Sequence, residues 1–319
     1  MKFTEQEVVI QSAYPLAGTL TIPSNDKAKH PIVIMVHGSG DVDRNENSKH
    51  LKMNAFKELS DLIADLGFVT LRYDKRGIGD SGGDFYETGF FDLIDDAVAA
   101  VQYAKDHPQI DDGQIILLGH SEGCLVAPAV NKQVEVQGMI LLAGTAEPLA
   151  DTTAWQREQI KEDINSKTGF EGFLVRLLKV ANKLDKTNDK LTKKMMATDK
   201  PVIRYLGRKM NAKWNREHLQ FDVRDYLAEV TCPVIAITGT KDVQVRPSDT
   251  EKICELVQGE CEHYLIQDMT HILRKTAVKP QISNIIKDYK KQVQNPIDSE
   301  LKDEVTSWLQ KHFILVKNS

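Results

Sequence analysis

The feature that most restricts the possible folds of this chain is a short apolar run followed by a serine between two nearby glycines. Residues 114–130 read QIILLGHSEGCLVAPAV. The apolar residues 115–118 predict a buried strand, residues 119–123 a tight turn, and the small residues that follow a helix. A serine at the apex of such a turn has its hydroxyl lifted clear of the backbone, and the next amide points at the same spot. The pattern therefore predicts Ser121 as a nucleophile.

Buried strand patterns alternate with helical patterns along most of the chain. After an opening hairpin within residues 7–22, apolar runs typical of buried strands lie at 32–36, 68–73, 138–144, 233–238 and 263–266. Amphipathic helix patterns lie at 56–66, 90–104, 248–257 and 299–313. This alternation predicts an α/β fold in which helices flank a mostly parallel central sheet.

The alternation is interrupted between about residues 147 and 228. This stretch is rich in charged residues and helix formers and contains no convincing strand pattern. We predict an α/β core at residues 1–146 and 229–319, with residues 147–228 inserted as a helical cap over a pocket. The alternatives are that the insertion is only a structural excursion or that it provides an oligomer surface. A homodimer is compatible with the sequence.

Charge and cysteine content restrict the partners and the compartment. The net charge of −5 argues against a nucleic-acid partner, which requires a basic patch or stripe. No apolar run approaches the roughly 18 residues of a membrane span, and the N-terminal residues lack the apolar stretch of a secretory signal. Cys254 and Cys261 flank a predicted turn and are able to approach each other, although nothing requires a bridge. We predict a cytoplasmic location.

A second serine motif of the same form occurs at residues 79–83, which read GDSGG. Its serine, Ser81, lies in a glycine-rich loop that no apolar strand enters directly and no helix leaves promptly. The serine of a GDSGG motif is also the nucleophile of chymotrypsin-like proteases, which are all-β proteins with histidine and aspartate upstream of the serine. The surrounding strand–helix alternation is of a different class. Ser81 is therefore rejected as the nucleophile.

A serine hydroxyl attacks only when a base removes its proton and an acid orients that base. Asp242 follows the predicted strand 233–238, and His271 follows the next strand. Each thus lies where the carboxyl ends of parallel strands collect functional groups. The order serine, acid, histidine is typical of α/β-hydrolases. We predict a triad of Ser121, Asp242 and His271.

Other histidines and aspartates compete for these roles. His263 lies within a strand pattern rather than after it, and His218 belongs to the predicted cap. Asp249 and Asp268 remain alternatives to Asp242, because carboxylates near strand ends also cap helices or pair with lysine. The strand positions and the chain order favour Asp242 and His271.

Acyl transfer also requires backbone amides that bind the developing oxyanion. The first predicted donor is the amide of Glu122, directly after the nucleophile. The second comes from residues 37–40 (HGSG), after the predicted strand 32–36, where glycines let the backbone approach a substrate. We assign this donor to Ser39, with Gly40 as the alternative. The competing interpretation of HGSG is a flexible turn.

Six motifs together resemble the α/β-hydrolase superfamily, and more narrowly its bacterial carboxylesterase branch, near the dienelactone-hydrolase-like and serine-aminopeptidase-like groups. They are residues 37–40 (HGSG), 43–45 (DRN), 73–81 (YDKRGIGDS), 119–123 (GHSEG), 239–242 (GTKD) and 269–271 (MTH). The resemblance covers nearly the whole chain outside the predicted cap. It implies the α/β-hydrolase fold, and it implies that residues 74–81 form a structural turn beside the HGSG loop.

The motifs predict a serine hydrolase that cleaves carboxylic esters of small molecules through an acyl-enzyme intermediate, without a metal or an organic cofactor. The same triad also serves peptidases, amidases and thioesterases. A catalytically silent hydrolase fold that only binds a ligand is a further alternative, against which a complete triad in order argues.

Overall fold

A computed structural model describes residues 2–25, 27–166 and 180–314 of the chain. Residues 167–179 of the predicted cap lie outside the described residues. Eight strands form one central sheet in the order β1-β2-β4-β3-β5-β6-β9-β10, and β7 and β8 form a separate hairpin. The strands are β1 (Phe3–Gln11), β2 (Pro15–Pro23), β3 (His30–Val36), β4 (Val69–Tyr73), β5 (Ile110–His120), β6 (Gly138–Leu142), β7 (Val202–Tyr205), β8 (Arg208–Asn211), β9 (Val234–Gly239) and β10 (Cys261–Ile266).

The central sheet is mostly parallel, as predicted. Strands β4, β3, β5, β6, β9 and β10 run parallel to one another. Only the β1–β2 hairpin breaks this direction, since β2 pairs antiparallel with both β1 and β4. The central strands are buried along their length, and this explains their continuous apolar sequences.

Helices cover both faces of the sheet. The helices of the described residues are α1 (Ala55–Asp65), α2 (Phe90–Asp106), α3 (Gly123–Gln133), α4 (Leu149–Asn165), α5 (Val180–Met196), α6 (Ala212–Gln220), α7 (Val223–Leu227), α8 (Asp249–Leu256), α9 (Ile285–Gln292) and α10 (Ser299–Leu309), of which α4, α5, α6 and α7 lie within the inserted segment. On one face the core includes Val101 of α2 and Val130 of α3. On the other it includes Phe56 of α1 and Trp308 of α10. None of the helices in the described part of the chain is both long and apolar enough to cross a membrane.

The β7–β8 hairpin corrects the prediction that residues 147–228 contain no strand. Each of its strands has four residues, and they do not alternate apolar and polar side chains in the way that identifies a strand from sequence. Leu206 and Gly207 join the two strands, with φ values of 48° and 78°. A two-residue loop with positive φ at both positions matches the twist of an antiparallel pair. Gly207 is thus the one residue by which the sequence indicates this hairpin.

A disulfide links Cys254 near the end of α8 to Cys261 at the start of β10, with 5.2 Å between the Cα atoms. The sequence left this pairing open. The bridge closes the turn between the two elements, seven residues apart in sequence. The remaining cysteines, Cys124 and Cys232, are free.

The strand order determines which loops meet. The carboxyl ends of β4, β3, β5, β6, β9 and β10 lie along one edge of the sheet, because these strands are parallel. Ser121 follows β5 in the middle of this edge. Residues 37–40 and Lys75 follow β3 and β4 on one side of it, and Asp242 follows β9 on the other.

The strained loop of the hairpin yields a stability prediction. Leu206 is 84% exposed and adopts the left-handed conformation, which costs an L-residue with a large side chain roughly 1–2 kcal/mol. Asparagine tolerates this conformation, so Leu206→Asn should raise the free energy of unfolding by about 1 kcal/mol. The check is the midpoint of urea unfolding at an unchanged m value. Leu206→Ala is the matched control, which keeps the strain; an equal gain in that variant would contradict the explanation.

Candidate active site

Ser121 lies in the sharp turn between β5 and α3, with a φ of 52°. This left-handed value is strained for serine, and such strain clusters at functional turns. A Cβ on Gly119 would lie 2.4 Å from the carbonyl oxygen of Gly123, and a Cβ on Gly123 would lie 2.0 Å from that of Val36. Both positions therefore require glycine, because the start of α3 passes directly against β5 and β3.

The structure brings the three side chains of the predicted triad into one hydrogen-bonded chain. His271 Nε2 lies 2.9 Å from Ser121 Oγ. His271 Nδ1 lies 2.8 Å from Asp242 Oδ2. Because an ionised carboxylate only accepts hydrogen bonds, Nδ1–H donates to Asp242, and Nε2 is left to accept the Ser121 hydroxyl proton.

Asp242 is fixed by its own loop. Its Oδ1 accepts hydrogen bonds from the backbone amides of Gln244 at 2.7 Å and Val245 at 3.0 Å. Its Oδ2 is thereby left facing His271. The carboxyl group is buried, so it holds the imidazole in a site with little water to compete for the hydrogen bond.

His120 and Glu46 form a buried pair behind His271. The Nε2 of His120 lies 3.0 Å from the carbonyl oxygen of His271, and its Nδ1 lies 3.4 Å from Glu46 Oε1. Burial would lower the pKa of His120, but the Glu46 charge raises it above the ordinary value. Burial would raise the pKa of Glu46, but the His120 charge lowers it. Glu46 also accepts a hydrogen bond from the Gly38 amide at 2.6 Å, so the pair connects the loop at 37–40 to the loop of His271.

Lys75 orients the loop at residues 37–40. Its buried ammonium group donates to the carbonyl oxygens of Gly38 and Gly40 and to Glu122 Oε2, the last at 3.2 Å. The carbonyl of Gly38 and the N–H of Ser39 belong to one planar trans peptide and point in opposite directions. The Lys75 contact therefore fixes the direction of the Ser39 N–H.

The Glu122 side chain is buried between the core and the inserted segment. Besides Lys75, it accepts a hydrogen bond from Trp214 Nε1 of α6 at 2.7 Å. His218 Nε2, one turn later on α6, lies 3.6 Å away. Burial would raise the pKa of Glu122, but Lys75, His218 and Trp214 lower it to about 2. The carboxylate is thus ionised at neutral pH and anchors α6 to the turn that carries Ser121.

Ser81 has a structural place, away from this chain of hydrogen bonds. Its hydroxyl donates to the carbonyl oxygen of Asp74 at 2.8 Å and accepts from the Ala17 amide at 2.9 Å. Gly79 in the same loop has a φ of 54°, and a Cβ there would lie 2.3 Å from Asp74 Oδ2. The glycines of this motif therefore serve a tight turn on the β1–β2 hairpin.

The competing residues have other partners or positions. His263 is exposed on β10. Asp268 forms an ion pair with Lys241 at 2.8 Å. Asp249 is buried at the start of α8 and accepts a hydrogen bond from Thr145 Oγ1 at 2.7 Å. His271 makes its carboxylate contact with Asp242.

Two cavities open beside Ser39 and Glu122, between the core and the inserted segment. The first cavity, of about 220 Å³, contains Ser121 in its wall together with side chains from α4 and from the loop after β9. The second cavity, of about 260 Å³, lies toward Lys75 and α2. Trp214 and Ser39 line both cavities. The predicted oxyanion donors, the amides of Ser39 and Glu122, thus belong to residues beside the same space as the Ser121 hydroxyl.

A cluster of metal-ligating residue types lies near the surface. Within the described ranges, Glu260, Glu262 and His312 bring three candidate ligand atoms within 4.8 Å of one another. Lys311 already donates to both carboxylates, with 3.0 Å to Glu262. Glu260 and Glu262 lie at the start of β10, at the opposite end of the parallel strands from Ser121, so this group has no part in the arrangement around Ser121.

Sequence reasoning missed the residues that hold the site in place. Lys75 stands in a motif assigned only to a structural turn, and its position beside HGSG was the available signal. Glu46 and Trp214 carry no local signal, because their roles arise from contacts with residues far away in the chain. His120 directly precedes the serine and was treated only as part of the turn.

Comparison with known proteins places the chain in a family. Residues 27–275 match the family model described as serine aminopeptidase, S33. Esterase EstD of Thermotoga maritima is 25% identical over 311 residues, which cover 97% of this chain and 68% of the esterase.

Two solved structures share the fold. Est1E from Butyrivibrio proteoclasticus, solved with ferulic acid bound, has a TM-score of 0.57 at 19% identity, covering 90% of this chain and 100% of Est1E. The Pyrococcus furiosus esterase Pf2001 has a TM-score of 0.58 at 17% identity, covering 97% of this chain and 91% of Pf2001. At these identities the likeness concerns the fold alone. With the family match over residues 27–275, the chain belongs to the serine aminopeptidase S33 family of α/β-hydrolases.

Proposed function

We propose that this protein is a serine carboxylester hydrolase in which Ser121 is the nucleophile, His271 the general base and acid, and Asp242 the residue that orients His271. The observation that carries the proposal is the hydrogen-bonded chain from Ser121 Oγ through His271 to Asp242, with separations of 2.9 Å and 2.8 Å. The similarity to esterase EstD supports an ester as the substrate.

The first half of the reaction forms the acyl-enzyme. Ser121 Oγ bonds to the carbonyl carbon of the ester, its proton passes to His271 Nε2, and the carbonyl π electrons move to the oxygen. Asp242 stabilises the resulting imidazolium. When the tetrahedral intermediate collapses, the bond to the alcohol oxygen breaks and His271 Nε2 returns the proton to that oxygen. Water then repeats the sequence, releasing the acid and restoring Ser121.

The oxyanion of the tetrahedral intermediate is bound by the backbone amides of Ser39 and Glu122. Such donors stabilise charge that exists only in the transition state and the intermediate, so they raise kcat more than they lower KM. In this proposal Lys75 is a positioning residue, because it holds the peptide that contains the Ser39 N–H. Its ammonium group also withdraws electron density from that peptide and strengthens the N–H as a donor.

The cavity walls favour an ester over the amino-terminal peptide that the family description suggests. A free α-amine would need an unpaired carboxylate near Ser121. Among the described residues that line the first cavity, Glu122 is the carboxylate, and its oxygens are already bound to Lys75 and Trp214. The partner is accordingly a small-molecule ester, with residues 147–228 acting as a cap over the cavities.

The location and the oligomeric state remain predictions. Disulfides are typical of oxidising compartments, and the Cys254–Cys261 bridge therefore stands against the predicted cytoplasmic location. A homodimer stays compatible with the sequence.

Replacing the nucleophile tests the central assignment. Ser121→Ala should lower kcat on p-nitrophenyl butyrate by at least about 10⁴-fold, because the acyl-enzyme is no longer formed. The matched control is Ser81→Ala, which should keep turnover and lose only about 1 kcal/mol of stability with its two hydrogen bonds. Labelling by a fluorophosphonate probe should follow the same pattern. Turnover retained by Ser121→Ala would refute the assignment, and so would its loss in Ser81→Ala alone.

Removal of the Lys75 charge tests the oxyanion arrangement. Lys75→Met should lower kcat at least tenfold and change KM by less than threefold, since the Ser39 amide is no longer held. Affinity for a boronic acid that mimics the tetrahedral intermediate should fall in parallel. The double variant Lys75→Met/Glu122→Gln avoids leaving an unpaired buried charge. A folded double variant with the kcat of the wild type would overturn the role of Lys75.

The lowered pKa of Glu122 predicts a pH-dependent stability. A carboxyl group with a depressed folded-state pKa contributes stability above its ordinary pKa, near 4.5, and this contribution is lost as pH falls toward about 2. The Tm of Glu122→Gln should be below that of the wild type at pH 7, and the difference should shrink between pH 4.5 and 2. Differential scanning calorimetry over this interval measures it. A constant difference would contradict the ionised, paired state of Glu122.

A further inference from the structure

The two cavities lie on opposite sides of Ser121 along the sheet edge. The second cavity is lined by residues that follow β3 and β4, such as Gly40, Lys75 and Thr88. The first is lined by residues that follow β6 and β9, such as Thr145 and Gln244. In the strand order β4-β3-β5-β6-β9-β10, these groups flank β5, which carries Ser121. Asp242 and His271 follow β9 and β10, so they lie on the side of the first cavity.

The second cavity is apolar. Phe85, Leu93 and Trp214 contribute its large side chains. The charged and amide groups in its wall are already satisfied within the protein. Lys75 uses its three N–H groups on Gly38, Gly40 and Glu122.

Asn211 is satisfied in the same way. Its side-chain N–H groups donate to the carbonyl oxygens of Phe85 and Thr88, at 3.1 Å and 2.6 Å, and its Oδ1 accepts from the Trp214 amide. A ligand in the second cavity therefore gains little from polar groups and most from apolar contact. The volume of about 260 Å³ exceeds the roughly 150 Å³ in which an engineered protein cavity holds benzene.

The first cavity has a different wall. Thr145, Thr152, Thr153, Gln156 and Gln244 bring hydroxyl and amide side chains into it. Their donors already have partners within the protein, since Thr145 donates to Asp249, Gln156 to the carbonyl oxygen of Gln244, and Gln244 to Tyr289. Their hydroxyl and amide oxygens keep lone pairs that accept hydrogen bonds from the hydroxyl groups of a bound alcohol. The two cavities thus differ in the chemistry that they accept.

Proton transfer determines which half of the ester enters each cavity. The leaving oxygen must lie close to His271 Nε2 to receive its proton, which puts the alcohol on the side of the first cavity. The acyl substituent of the same carbonyl carbon points away from the imidazole, toward β3 and β4. That side contains the second cavity.

Trp214 is a wall residue shared by the two cavities and is held in place at both ends. Its indole N–H donates to Glu122 Oε1 at 2.7 Å, and its backbone amide is capped by Asn211 Oδ1 at 2.9 Å. The ring lines both cavities. Because its position is fixed by a buried carboxylate, it limits how far a group in one cavity extends into the other.

We propose that the second cavity is the acyl subsite, which accepts an apolar acyl group up to the size of an aromatic ring, that the first cavity receives a polar alcohol, and that Trp214 is the partition between them. This rests on the proposed esterase function and names its substrate class: esters of an apolar acid with a hydroxyl-bearing alcohol.

Narrowing each cavity in turn tests the proposal. Leu93→Trp reduces the second cavity from α2, and Leu149→Trp, the matched control, reduces the first from α4. The acyl series is p-nitrophenyl acetate, butyrate and phenylacetate; the alcohol series is methyl, glyceryl and benzyl butyrate. Leu93→Trp should lower kcat/KM for the phenylacetate at least tenfold and leave the acetate within twofold. Leu149→Trp should leave the ratio of kcat/KM for phenylacetate to that for acetate within twofold of the wild-type ratio. It should lower kcat/KM for glyceryl butyrate relative to that for methyl butyrate.

Enlarging the space gives the converse test. Trp214→Ala should raise kcat/KM for the phenylacetate relative to the acetate at least threefold, and Trp214→Phe, which keeps most of the ring, should not. If Leu93→Trp alters neither series, alters both equally, or penalises the alcohol series instead, the acyl assignment is wrong. Wild-type turnover of p-nitrophenyl acetate that depends on Ser121 would show in each case that the esterase proposal still stands. A lowered Tm would show that Leu93→Trp disturbs folding and does not merely narrow the second cavity. Trp214→Ala then gives an independent test, because an unchanged ratio of kcat/KM for phenylacetate to that for acetate in this variant would overturn the proposal on its own.

Discussion

The close approach of α3 to β3 is the steric constraint on which the site depends. A Cβ on Gly123 would lie 2.0 Å from the Val36 carbonyl oxygen, so only glycine lets the helix start this close to the neighbouring strand. The turn before it holds Ser121 in a left-handed conformation, with its hydroxyl above the sheet edge. Since β3 and β5 are adjacent and parallel, the same approach sets the loop at residues 37–40 beside the Glu122 amide. Backbone geometry thus arranges the serine and both candidate amide donors before any side chain is considered.

Glu122 then connects these parts to the rest of the molecule. Its carboxylate binds Lys75, which binds the peptide of the loop at 37–40, and it also binds Trp214 of the inserted segment. A buried ion pair contributes little net stability once the cost of removing both charges from water is counted. What it provides is a defined geometry, because each buried charge requires its partners in place. One side chain therefore specifies the loop conformation, the position of α6 and the boundary between the two cavities.

The sequence predicted most of the fold and the position of each proposed catalytic residue. Continuous apolar runs between amphipathic helices predict a parallel sheet, and the mostly parallel sheet flanked by helices is confirmed. Asp242 and His271 were identified by their positions just after strands, a rule that holds because parallel strands end at the same edge. The β7–β8 hairpin was missed because four-residue strands with mixed side chains have no period to detect. The Cys254–Cys261 pairing was left open because spacing alone does not fix a distance.

Features that depend on neighbouring residues follow from the sequence, whereas features that depend on contacts between distant residues follow only from the tertiary structure. The sequence by itself determined the fold class, the turn at Ser121 and the order of serine, acid and histidine, because each depends on neighbouring residues or on strand periodicity. Only the tertiary structure decided that Lys75 orients the Ser39 peptide, that Glu46 and His120 lie behind His271, and that Trp214 lines two cavities of different polarity. These arrangements join residues as far apart in the chain as Glu122 and Trp214. Their distances follow from the packing of the whole chain, and no local pattern encodes them.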